Sequence, residues 1–262
     1  MWASVKTEAI VLTTQPWKEA DRRYTAISPE LGYLEFIGRG ARKGKAKLAA
    51  HIEPLSVVQL ELVRGARQMT VINAERQEVF RHMHASLEGR MAALSAASLL
   101  HASLRPEVPD AELYLDFLTF ARTVNEAPQL TGARAAFFAG GFALRTLTAL
   151  GYAVSLKRCV GCSTHIVPLS FRWHDIKGGV VCTDCILSAP HEWVEARSTP
   201  EEVLALLRFA RMSAYDDLLR PQLRVADVYA FTQCVQGLVR LHVPGAIGWG
   251  DELADLFLLP KA

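Results

Sequence analysis

Cys159-Val160-Gly161-Cys162 and Cys182-Thr183-Asp184-Cys185 are two C-x-x-C pairs with nineteen residues between them. A C-x-x-C turn brings two thiolates onto one ion, and two such turns supply the four sulfurs of a tetrahedral zinc. Gly161 and the Gly178-Gly179 pair suit the knuckle turns of such a site, where the backbone needs positive φ. The intervening 166–181, with Phe171-Arg172-Trp173 and Gly178-Gly179-Val180-Val181, reads as the short strands of a zinc ribbon. Cys234 is the one cysteine left over, so no disulfide framework is indicated. Four metal-free thiols, or a redox C-x-x-C, fit a doubled motif at ribbon spacing less well. Because four thiolates saturate zinc and leave no position for water or substrate, the ion is expected to be structural. His165, His174 and His191 lie close in sequence and read as ribbon surface or packing.

A chain of 262 residues has room for two or three small domains. Half of it is hydrophobic and 21% charged, an ordinary globular composition. The longest strictly apolar run, 135–144, falls far short of the ~20 residues of a spanning helix. Lys6 and Glu8 precede any apolar run, which argues against a secretory signal. Thiols arranged for a metal point to a reducing cytoplasm. The net charge of +2 implies no polyanionic partner, but its distribution is uneven. Residues 1–80 carry twelve Lys/Arg against nine Asp/Glu, and residues 189–262 carry seven against ten. The head is therefore the place to look for phosphate contacts.

In the head, 5–13 opens as a β-branched strand that Thr14-Gln15-Pro16 is expected to interrupt. Stretches 22–28 and 33–38 read as a second and third strand about a Ser28-Pro29-Glu30-Leu31-Gly32 turn. Stretches 55–63 and 69–73 read as a fourth and fifth, about Arg64-Gly65-Ala66-Arg67. Five short strands suit a small closed barrel, an OB-fold first; an SH3-like barrel gives nearly the same periodicity. Between the third and fourth strands, 38–47 holds Arg39, Arg42, Lys43, Lys45 and Lys47, three glycines and no acid. Such a loop can lie against the phosphates of a flexible strand, with Arg22, Arg23, Arg64 and Arg67 extending the patch. The alternative is a solvated surface loop. Tyr24, Tyr33 and Phe36 are candidates for base stacking, although aromatics at strand spacing are more often core.

The runs Ala9-Ile10-Val11-Leu12, Glu19-Ala20-Asp21-Arg22-Arg23, Gly32-Tyr33, Gly38-Arg39-Gly40-Ala41-Arg42 and Glu53-Pro54 together resemble the N-terminal domain of the RecO family of bacterial recombination mediators. Length, a following helical segment and a central four-cysteine ribbon extend the resemblance over essentially the whole chain. It implies an OB-fold head at 1–80, a helical body in two parts at 81–157 and 189–262, and an embedded ribbon at 158–188. Implied partners are single- and double-stranded DNA, RecR, single-strand-binding protein and, indirectly, RecA, in a cytoplasmic, nucleoid-associated setting with no membrane. The implied activity is annealing of complementary strands, with one structural zinc and no catalytic residue. Some members of that family lack the cysteines, which favours a supporting role for the ribbon.

The remainder reads as helix: 86–104, 112–124, 130–152, then 199–212 and 224–242. Gly140-Gly141 inside the third implies a closely packed neighbour or a break. Thr199-Pro200-Glu201-Glu202 has the form of a capping box. His82 and His84 read as surface, Cys234 as a core thiol, and 253–259 as an apolar stretch packed on the helices or facing a partner. Two further functions fit parts of the pattern. A zinc-finger DNA glycosylase shares length and finger, but needs an N-terminal Pro-Glu and a C-terminal finger, where this chain has Met1-Trp2 and about 75 residues beyond the ribbon. A non-enzymatic hub binding acidic tails would place Arg122, Arg134 or Arg145 beside apolar side chains. No P-loop, G-x-S-x-G, H-E-x-x-H or dinucleotide fingerprint is present.

Overall fold

The computed structural model describes residues 4–43, 48–106, 108–127, 129–152 and 154–257. They form two compact units, Met1–Glu126 and Ala127–Ala262.

The first unit is built on five strands, β1 (Ser4–Trp17), β2 (Asp21–Ser28), β3 (Gly32–Gly38), β4 (Ser56–Arg64) and β5 (Met69–Val79), closed into a barrel in the order β1-β2-β3-β5-β4. The β3–β5 pairing is parallel, and β1 closes the barrel antiparallel to β4. That order is the OB one, and it removes the SH3-like alternative. Alternate residues point inward: Ala9 and Val11, Tyr24 and Ala26, Leu34 and Phe36, and Val58, Leu60 and Leu62 all lie in one core.

Two strands outrun their expected length. β1 continues through Thr14-Gln15-Pro16 to Trp17, with a register shift between Val11 and Thr13. It pairs with β4 only as far as Ile10, so beyond that point no strand among the described residues serves its second edge, and the N–H that Pro16 lacks is not needed there. β5 runs on through the polar Glu75-Arg76-Gln77-Glu78, which pairs with β4 while facing water.

Three helices complete this unit: α1 (Arg81–Ala85), α2 (Leu87–Ser103) and α3 (Ala111–Glu126). α2 is N-capped by Ser86, whose hydroxyl accepts from the Gly89 N–H. α2 packs on β1 and α3 on β2, which buries the outward-facing Ile10 and Ile27. Tyr114 donates to Glu8 over 2.7 Å, and burial followed by that carboxylate pushes its phenol up, so it remains a donor. Gly32 sits at φ 68°, and a Cβ there would overlap the Val108 carbonyl oxygen, so this turn requires glycine.

In the second unit, α4 (Gly132–Ala149), α6 (Glu201–Met212) and α7 (Val225–His242) pack on one another, with α5 (Thr183–Ser188) belonging to the ribbon and α8 (Asp251–Asp255) near the end of the described chain. α4 runs unbroken through Gly140-Gly141 because the Phe231 ring of α7 lies directly against Gly140, where any Cβ would collide with it. The capping box does not form. Pro200 occupies the cap position of α6 with no side-chain bond, and the Thr199 hydroxyl turns back to the Arg197 carbonyl at 3.5 Å. Leu253 and Leu256 of the apolar stretch are buried, and 258–262 lie outside the described residues. Among the described residues, no helix is long and apolar enough to cross a membrane.

Candidate metal centre and nucleic-acid surface

The ribbon is a hairpin of β6 (Phe171–His174) and β7 (Gly179–Cys182). Single bridges from Ser155 to Gly179 and from Arg197 to Trp173 widen it on both edges. Cys159 and Cys162 come from the knuckle before it. Cys182 ends β7 and caps α5, and Cys185 lies in the first turn of α5. The four Sγ atoms all lie within 4.8 Å of one another, with Cys159–Cys185 and Cys162–Cys182 each 3.7 Å apart. A tetrahedral ion with ~2.3 Å bonds to sulfur has S–S edges of about 3.8 Å, so the quartet has the dimensions of a four-thiolate metal site.

The knuckle departs from expectation in one respect. Positive φ falls on Ser163 (62°) and Gly178 (68°) and not on Gly161. Gly161 is needed for space instead, since a Cβ there would lie 2.9 Å from the Cys185 sulfur and 3.0 Å from the Trp193 ring. Gly161 and Cys182 N–H groups point at the Cys159 sulfur, each at 3.3 Å. Burial pushes the Cys159 thiol up, but N–H groups from Cys182, Cys162 and Gly161 outweigh it and the net shift is downward. Cys162 is pulled down to about 6 by the hydroxyl and N–H of Thr164. Cys182 and Cys185 move up, chiefly by burial, and each also feels the neighbouring sulfurs. Four thiolates this close repel one another, so the quartet is stable in that form only around a cation.

Trp193, which sequence reasoning passed over, packs into the ribbon core with Cys159, Val181 and Ala196. Of the three nearby histidines, only His174 is buried. It stands edge-on to Trp193 at 5.7 Å and its Nδ1 accepts from the Lys177 N–H. Asp175 anchors the hairpin: it accepts from the Trp173 indole and from Arg197, and its carboxylate lies against Gly237 of α7. Cys234 is a core thiol, pushed up to about 12 by burial.

On the barrel, the candidate cations occupy different environments. Arg39, Lys43 and Arg67 are exposed. Lys45 and Lys47 lie outside the described residues. Arg42 is engaged within the fold, its guanidinium donating to the Lys18 and Glu19 carbonyls of the β1–β2 loop at 3.2 and 3.1 Å. Over its described part, residues 38–43, the glycine loop turns N–H groups inward: Gly40 donates to the Asp21 carboxylate (2.8 Å), Arg42 to the Ala20 carbonyl (2.9 Å) and Lys43 to the Gly40 carbonyl (3.0 Å). This part braces the β1–β2 loop. Arg22 sits at the barrel mouth beside the buried Tyr24 phenol, whose upward shift by burial its charge opposes. Arg23 lies on the outer face with its guanidinium 3.6 Å above the Trp17 ring. Arg64 and Arg67 belong to the β4–β5 turn, which with Tyr33 and Glu35 borders a depression of about 350 Å³.

The three aromatic stacking candidates are taken up elsewhere. Tyr24 and Phe36 stack on each other inside the barrel at 5.4 Å, and the Tyr33 hydroxyl is 2.8 Å from Nδ1 of His101. Each of the three arginines considered for an acidic tail already has a partner. Arg122 pairs with Glu78 at 2.7 Å, Arg134 donates to the Leu218 and Pro221 carbonyls, and Arg145 lies over Tyr215.

Two family profiles match the chain, Recombination protein O N terminal over residues 1–79 and Recombination protein O C terminal over residues 84–247. The chain belongs to the RecO family. The N-terminal profile ends with β5, and the C-terminal one takes in the helices and the ribbon together. Curated RecO relatives run nearly end to end with it. The DNA repair protein RecO of Roseiflexus sp. (strain RS-1) is 28% identical, aligned over 93% of this chain and 90% of its own. That of Rubrobacter xylanophilus is 27% identical over 93% and 94%. That of Heliobacterium modesticaldum is 33% identical over 78% and 72%. RecO is a DNA-repair mediator family, not a known enzyme class, and membership assigns this chain to DNA repair and recombination.

Proposed function

We propose that the chain is a recombination mediator that binds single- and double-stranded DNA on the barrel, anneals complementary strands and, with RecR, helps load RecA onto DNA coated by single-strand-binding protein. The observation that carries this reading is the set of exposed cations, Arg39, Lys43 and Arg67, on the connecting loops of a barrel with OB order. OB barrels use such loops and the adjoining sheet face to hold nucleic acid. A cationic face neutralises two strands at once and keeps them near each other, while base pairing supplies the specificity. Lys45, Lys47, Arg22, Arg23 and Arg64 belong to the same proposed surface, and Arg42 acts in it by bracing the loop.

The ion in the ribbon is proposed to be one zinc, held by Cys159, Cys162, Cys182 and Cys185, with a structural role. The ribbon at 158–188 then acts as an insert among the helices of the second unit, and the DNA-binding head is the barrel at 1–80. The protein works in the cytoplasm, on the nucleoid.

Annealing of two complementary oligonucleotides, each coated with single-strand-binding protein, tests this reading. Wild type should accelerate annealing, and the triple variant Arg39→Ala, Lys43→Ala, Arg67→Ala should lose most of that acceleration. Equal rates for the two proteins would move the DNA surface off the barrel.

A further inference from the structure

We propose that Trp17 and Arg23 form a stacking platform for an unpaired base beside the β1–β2 loop, and that it makes this surface prefer single strands to duplex. The inference rests on the DNA-binding reading above and adds to it the feature of the ligand that is recognised. Trp17 ends β1 and Arg23 lies two residues into β2, where register places it opposite Gln15 and Ile37. Tyr24 and its even-numbered neighbours face the barrel core, so Arg23 faces out. The helices cover the Ile10 and Ile27 end of this outer face, while Gln15, Trp17 and Arg23 lie towards the other end and stay partly or fully exposed.

The guanidinium carbon lies over the indole face, 3.6 Å from the ring centroid and well within cation–π range. The indole N–H is buried and meets no acceptor among the described residues, so the ring is held through its face and not through its polar edge. A base laid against this pair would add its own face to the contact. Such contacts tolerate any base and require an unstacked one, which duplex DNA does not present.

The loop carrying the platform is also held in advance. Gly40 and Arg42 N–H groups and the Arg42 guanidinium fasten Asp21, Ala20, Lys18 and Glu19, and Lys18 keeps a left-handed φ of 52°. A braced platform loses little freedom on binding. Lys18, Arg39 and Lys43 supply exposed charge on the loops around it.

The test is anisotropy titration of oligothymidine and of an equally long duplex across a salt series. For Trp17→Ala we expect about tenfold weaker single-strand binding, the scale of one stacked base, with duplex affinity and salt slope unchanged. Arg23→Lys keeps the charge but loses the plane, so it should show the same selective loss, and Trp17→Phe should restore most of the affinity. Equal loss on both DNAs, a flattened slope, or wild-type behaviour of Arg23→Lys would overturn the platform while leaving DNA binding intact. Wild type binding neither DNA would overturn both readings. Should Trp17→Ala melt early, Trp17→Phe and Arg23→Lys decide alone.

Discussion

The barrel and the ribbon are both small β structures, but they are held together by different means. The barrel draws apolar side chains from all five strands into one core. The ribbon has two four-residue strands, a small cluster of Cys159, Val181, Trp193 and Ala196, and Trp173, His174 and Val180 buried besides. A two-stranded hairpin is marginal in water on its own, and an ion held by the four sulfurs would supply what this small core lacks. The barrel should therefore respond to lost volume, and the ribbon to lost charge balance at sulfur.

Removing the sulfurs should give the largest effect. Cys159→Ser with Cys162→Ser should abolish bound zinc and strip exchange protection from Trp173, Val180 and Val181, while Tyr24 and Phe36 keep theirs. Structural zinc binding contributes on the order of 10 kcal/mol in small metal domains, so the ribbon should open altogether. Metal loss with unchanged melting and protection would show that side-chain packing alone holds it. The converse change is smaller. Phe36→Ala removes the ring stacked on Tyr24 and should cost about 3–5 kcal/mol by denaturant titration, with zinc content intact.

Between these two regimes lies the joint of ribbon and helix. A side chain at Gly237 would meet the Asp175 carboxylate at 2.5 Å, where that carboxylate also holds Trp173 and Arg197. Gly237→Val should cost about 1–3 kcal/mol and blue- or red-shift tryptophan emission while zinc stays bound. Loss of zinc in this variant would mean that α7, and not the knuckles, sets the geometry of the metal site.

How much of this was legible in the sequence follows the range of the interactions. The four cysteines and the helices on either side of the ribbon were readable because spacing and periodicity are local. Periodicity alone leaves the barrel open between an OB and an SH3-like form, because the parallel β3–β5 pairing and the β1–β4 closure join residues that no window contains together; the head motifs carry the OB reading through their resemblance. Pro16 looked like a strand end, since sequence does not disclose that β1 lacks a second neighbour there. The fifth strand is expected to end at Asn73 because Glu75–Glu78 offers no apolar residue, although a water-facing strand needs few. Trp17 lies beyond the strand end that the sequence predicts, which hides it as a stacking group, whereas Tyr24 and Phe36, stacking candidates by sequence, lie in the core.

The smallest effect bears on the basic loop, where sequence alone treats Arg39, Arg42 and Lys43 as equivalent. Arg42 donates to two loop carbonyls and Arg39 lies exposed, so the two should separate on alanine substitution. Arg42→Ala should lower barrel stability by about 1 kcal/mol, the net worth of such hydrogen bonds at an exposed site, and free the β1–β2 loop, seen as faster exchange at Arg42 and Gly40. Arg39→Ala should leave stability unchanged and reduce the slope of log affinity against log salt by about 0.7, the contribution of one phosphate on a single strand. If Arg42→Ala changes the slope and not the stability, its guanidinium leaves the carbonyls when DNA arrives, and the loop is then a contact surface instead of a brace.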